Sequence, residues 1–130
     1  MLRQFSPVPV YLKIWRNRIE ATHLETGETV SIPATEPFSS TRNVVGNFDA
    51  AQRTLNAALN ALGLKRKFFP PPLRVFFQQR EQTEGGLDDL EKRALRDLGD
   101  MAGAKEVYLI DHSNDLSTDE VLAYKNQAYR

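Results

Sequence analysis

The chain contains no cysteine, only two histidines and one tryptophan, and its charges sum to zero. Each scarcity excludes a class of chemistry. Without cysteine there is no disulfide framework, zinc–thiolate site, iron–sulfur cluster or thiol nucleophile. Two histidines and no nucleophile-elbow motif leave no basis for a Ser–His–Asp arrangement. Seventeen Lys plus Arg against seventeen Asp plus Glu argue against a strongly basic nucleic-acid binder. Long apolar runs are missing too. Met1 to Pro7 holds nothing of signal-peptide length, and no stretch approaches the roughly eighteen apolar residues of a membrane helix. The expectation is a soluble cytoplasmic protein with no membrane insertion and no nucleic-acid partner.

What is present is ordinary for a folded domain. Hydrophobic residues make up 41% and charged residues 26% of the 130, which is wrong for a disordered chain. That length is enough for one core, so residues 1–130 read as a single domain.

The first third has a period of two. Val8, Val10, Leu12 and Ile14 alternate with Pro9, Tyr11, Lys13 and Trp15, and Ile19, Ala21 and His23 alternate with Glu20, Thr22 and Leu24. Arg16 to Arg18 is a polar break, and Gly27 supplies a hairpin glycine before a third strand over Thr29–Pro33. Pro33 marks the end of a strand or a sheet edge. The period then changes. Asp49 with Gln52 reads as a capping box ahead of a helical face of Leu55, Ala58, Leu59 and Leu62, closed by Gly63. Leu73 to Phe77 is nearly all apolar, as in a parallel strand covered on both faces. Leu87, Leu90, Ala94, Leu95, Leu98, Met101 and Ala102 form a second helical stripe closed by Gly103. Val107 to Ile110 is a short strand, and Ser117 with Glu120 caps a last helix reaching about Tyr124. The order β-β-β-α-β-α-β-α predicts an α/β domain: a three-strand antiparallel meander followed by helix-linked parallel strands, as in the ribonuclease-H-like fold.

Several motifs have a plain structural reading. Gly85-Gly86 lacks phosphate-loop spacing, and Glu84, Asp88 and Asp89 around it suit a helix N-terminus rather than a phosphate. Lys65-Arg66-Lys67 beside Phe68-Phe69 reads as a solvated connector before three prolines, with one of the two Phe tucked into the core. Asp111, His112, Asp115 and Asp119 match no standard metal spacing, and His23 reads as a strand residue. A nuclease of the ribonuclease H type needs a carboxylate mid-way along the first strand, where Lys13 stands.

Leu90-Glu91-Lys92-Arg93-Ala94-Leu95 and Ala102-Gly103-Ala104-Lys105-Glu106-Val107-Tyr108-Leu109-Ile110 resemble bacterial actin-like proteins of the MreB family. Val44 to Asp49 is similar to that family's approach to a helix, and Pro72 to Val75 to its "P-R-V". The resemblance spans roughly Val8–Asp111 and implies the core subdomain of the first lobe of an actin-like ATPase, with the second lobe missing. It also implies what should be present and is not. The family's "D-x-G-T" loop falls at Ile14-Trp15-Arg16-Asn17, which has neither the glycine nor the acid. The family's "E-P-x-A-A-A" is replaced by Asp111 to Asp115. Glu91 matches the glutamate that orients the attacking water there; without bound phosphate it reads as a solvated helix residue. The expectation is a non-catalytic actin-like domain with no cofactor and no catalytic or metal residues. It would act as a protein-binding or assembly module, linked by fold analogy to the bacterial cytoskeleton or cell shape. The alternative is a nucleotide-binding or ATPase component completed by a second chain, with Glu91 orienting water. Charge is uneven along the chain: Arg3, Lys13, Arg16 and Arg18 precede any acid, and Asp111, Asp115, Asp119 and Glu120 follow one another without a base, a pattern that suits either head-to-tail association between copies or charges scattered over a solvated surface.

Overall fold

A computed structural model describes residues 6–39, 45–65, 68–81, 88–124 and 128–129. The elements are β1 (Val8–Trp15), β2 (Arg18–His23), β3 (Thr29–Pro33), α1 (Phe48–Ala61), β4 (Leu73–Gln79), α2 (Asp89–Met101), β5 (Ala104–Ile110), α3 (Thr118–Leu122) and β6 (Ala128–Tyr129). They form one mixed α/β sheet in the order β3-β2-β1-β4-β5-β6. β1 pairs antiparallel with β2 and parallel with β4; β2–β3 is antiparallel and β4–β5 parallel. β6 adds two antiparallel residues beside β5, an element with no signal in the sequence.

The period-two pattern sorts the strands onto two faces. Register aligns Val10 with Val75 and Val107, and Leu12 with Phe77 and Leu109, so branched and aromatic side chains stack across three strands. This face, with Ile14, Ile19 and Ala21, meets α1 and α2 through Leu55, Leu59, Leu95 and Leu98. The opposite face carries Tyr11, Phe76 and Tyr108, with the last two rings stacked at 4.9 Å, and is covered by Val121 and Leu122 of α3. Burial on both faces explains the nearly all-apolar run of β4, interrupted only by half-buried Arg74; the burial continues through Gln78 and Gln79.

The helices depart from the sequence reading in three places. The N-cap of α1 is Asn47, whose side chain accepts from Ala50 N–H, while Asp49 lies inside the first turn and favours its dipole. So Asp49 and Gln52 form no capping box. The buried face of α2 carries Glu91, Leu95, Leu98 and Gly99. Leu90 and Met101, counted in the apolar stripe, are instead 63% and 58% exposed. Glu91 is buried, not solvated. Gly99 is required by closeness. A Cβ there would sit 2.7 Å from Val107 Cγ2, so α2 lies against β5 nearer than any side chain allows. The Ser117–Glu120 capping box of α3 is present as expected.

Candidate functional site

Parallel α/β sheets commonly hold ligands at the carboxyl ends of their strands. Here that edge begins with the β1–β2 hairpin, a two-residue turn of Arg16 and Asn17 with Asn17 at φ 56°. Asn tolerates this left-handed conformation better than other side chains. The amides of the turn are already engaged. Arg16 N–H donates to the Glu81 carboxylate at 3.2 Å, and Asn17 N–H donates to Ser39 Oγ at 3.0 Å. Asn17 Oδ1 in turn accepts from the N–H groups of Phe38 and Ser39, both at 2.8 Å. A carboxylate therefore stands where a phosphate-binding turn would need open amides.

Beside the hairpin, Trp15 lies against two guanidiniums, Arg18 at 4.0 Å and Arg80 at 5.5 Å from its ring centre. Arg80 also reaches Asp115 at 2.6 Å. That hydrogen bond, with the positive field of Arg80 and then of Lys13, holds the Asp115 carboxyl below its ordinary range. Lys13 pairs with Glu20 at 3.7 Å. The basic start and the acidic segment read from the sequence are thus not opposite poles, because the sheet brings Lys13, Arg80 and Asp115 to one face. Below them Tyr11 donates to Gln78 Oε1, and Gln78 Nε2 donates to the carbonyls of His112 and Asn114, fastening the 112–115 loop to the sheet. Burial pushes the Tyr11 hydroxyl up to about 12.

Glu91, in the first turn of α2, accepts the Val45 N–H through Oε2 at 3.3 Å. It joins the approach to α1 to the start of α2. Directly outside this contact is an open groove of about 370 Å³ lined by Val45, Gly46, Phe48, Leu90, Ala94 and, at its polar rim, Arg93 and Asp97. Leu90 and Ala94 of the α2 apolar stripe form one wall of this groove, while exposed Met101 lies outside it. That surplus of apolar positions over what one core face needs was the sequence signal for it.

The third feature reverses an expectation. Neither Phe68 nor Phe69 is tucked into the core: they are 73% and 91% exposed. Phe69 has φ 52°, a costly conformation for an aromatic residue, and precedes Pro70, which disfavours helical backbone before it. Leu62 and Leu64 take the core positions at the end of α1 instead. Of the neighbouring basic triplet, Lys65 is half-buried and Arg66 and Lys67 lie outside the described residues. Gly85-Gly86 and Glu84 also lie outside them.

The remaining candidates are spent locally. Asp111 accepts the Tyr124 hydroxyl at 3.1 Å, and His112 Nδ1 accepts Asn114 N–H at 3.2 Å. His23 Nδ1 accepts Glu25 N–H in the β2–β3 connection. Among the described residues no three His, Asp or Glu side chains converge on a metal position, and no helix is long and apolar enough to cross a membrane. The chain matches no protein-family model, no curated protein and no solved structure.

Proposed function

We propose that this chain is a non-catalytic, actin-like domain of MreB type that acts as a protein-binding or assembly module. The observation that carries the reading is the occupied hairpin. In an actin-like ATPase the turn after the first strand must offer amides to phosphate. Here Glu81 and Ser39 hold the two amides, and Glu81 brings negative charge to the spot. The strand order β3-β2-β1-β4-β5, with β2 antiparallel to its neighbours, supports a ribonuclease-H-like arrangement for that domain. Glu91 has a structural partner in Val45 N–H, which favours a positioning role over water activation. Exposed Phe68 and Phe69 favour a module that contacts another macromolecule, because isolated domains seldom leave adjacent aromatics bare. Cytoplasmic placement and a link to the cytoskeleton belong to the same analogy with the family.

Isothermal calorimetry with Mg-ATP tests the non-catalytic part. No saturable heat is expected. Binding tighter than about 100 μM, roughly −5.5 kcal/mol, and abolished by Glu91→Ala would overturn it in favour of a nucleotide component completed by a second chain.

A further inference from the structure

The exposed aromatic pair and the open groove lie at opposite ends of the domain. The groove is built on the approach to α1 and the first turns of α2; the Phe68–Phe69 knob follows the end of α1. The fourteen residues of α1 set about 20 Å of rigid helix between them, so a knob cannot enter its own groove. Their chemistry is complementary. The knob offers two aromatic side chains on a backbone that carries Lys65, Arg66 and Lys67 in sequence. The groove offers Val45, Phe48, Leu90 and Ala94, with exposed Arg93 and Asp97 on its rim and exposed Asp88 and Asp89 adjoining Leu90, so three acids surround it against one base.

We propose that the Phe68–Phe69 knob of one copy seats in the Val45–Phe48–Leu90–Ala94 groove of a second copy. The proposal rests on the assembly reading above and names its surfaces. Because the two patches differ, the contact is heterologous: each bound copy still presents a free knob and a free groove, and the arrangement repeats into an open chain. Two aromatic side chains bury about 300–500 Å² between them. With a matching area from the groove, the contact stays below the roughly 1,200 Å² of a stable complex. Association is therefore weak at each contact and driven by concentration.

Sedimentation velocity from about 10 μM to about 1 mM reads this directly, that range being set by an interface of this size. The wild-type chain is expected to grow in sedimentation coefficient with concentration. A knob variant, Phe68→Ser with Phe69→Ser, and a groove variant, Leu90→Arg with Asp97→Arg, are each expected to stay monomeric. All four positions are exposed, so both variants should keep the wild-type circular dichroism. The deciding sample is their equimolar mixture, in which one intact knob meets one intact groove. It should form dimers and stop there. A mixture that stays monomeric, or a wild-type chain that is monomeric throughout, overturns the proposal. If the knob variant associates as well as wild type, this contact is refuted while assembly survives through another surface. A monomer that binds phosphatidylserine vesicles through Phe68 and Phe69 also refutes it, assigning the knob to a lipid surface.

Discussion

Gly99→Ala isolates the closest approach in the molecule. Two effects oppose each other. Replacing glycine in a helix interior gains about 1 kcal/mol of helix propensity, less near a helix end. Against this, the new methyl group would lie 2.7 Å from Val107 Cγ2, 3.2 Å from Phe77 Cε2 and 3.3 Å from Val75 Cγ2. Carbon pairs settle at about 3.5–4.0 Å, so the first contact is short by nearly 1 Å. None of the three neighbours can yield cheaply. All are buried, the two valines are stiff about χ1, and Val75 and Val107 are paired across β4 and β5. The remaining response is for α2 to lift from the sheet, which loosens Leu95 and Leu98 on the same face. Overpacking of this kind costs about 1–3 kcal/mol. The cost less the propensity gain leaves a net destabilisation of about 1–2 kcal/mol, a fall of roughly 3–8 °C in unfolding midpoint for a chain of this size. Urea titration followed by circular dichroism should show a lower midpoint with an unchanged slope. A Gly99→Ala chain as stable as wild type would show that the helix is free to shift and that the packing argument is wrong.

Substitutions at three further positions probe other contacts. Glu91→Ala strips the buried Val45 N–H of its acceptor and is expected to cost about 1–3 kcal/mol, with faster hydrogen exchange at Val45; Glu91→Gln keeps an acceptor and should recover most of the loss. Asn17→Ala removes an acceptor for two N–H groups and also strains the left-handed turn, so stability should rank wild type, then Asn17→Gly, then Asn17→Ala, by about 2–4 kcal/mol overall in chemical denaturation. Tyr11 titrates at about 12 in the folded chain and at about 10 when unfolded, so the unfolded chain loses its proton first. Stability from this group is complete below pH 10 and declines as pH rises from about 10 to 12. Ultraviolet titration of Tyr11→Phe should lack the most alkaline tyrosinate step, and a wild-type Tyr11 ionising at 10 would refute its burial.

Local signals in the sequence located most elements to within a few residues. The alternation through β1 and β2, the glycines ending α1 and α2, and the Ser117–Glu120 cap all act over short distances along the chain. β6 escaped because two residues carry no period. Asn47 rather than Asp49 caps α1, since either side chain can serve and only the point where the backbone turns helical selects one.

The candidate surfaces were harder to see. A helical stripe states that several positions share a side of α2, but not which part of that side meets a sheet. Packing buried Glu91, Leu95, Leu98 and Gly99 and left Leu90 and Met101 outside, so a carboxylate became buried beneath Val45 and a leucine became a groove wall. At the end of α1, Leu62 and Leu64 filled the core first and Phe68 and Phe69 were left in solvent.

The alternation of strands and helices, the parallel character of β4 and the absence of thiol chemistry follow from residue type or short spacing along the chain. The electrostatics and the contacts come from how the elements pack. Glu81 lies sixty-five residues from the Arg16 amide it occupies, and Asp115 thirty-five from Arg80. Such pairs have no signature along the chain, since they arise when separate strands deliver their ends to one edge of a sheet. The same folding closed a turn that phosphate would need open, and left a pair of aromatics and a groove twenty ångströms of helix apart, about 1.5 Å for each residue of α1.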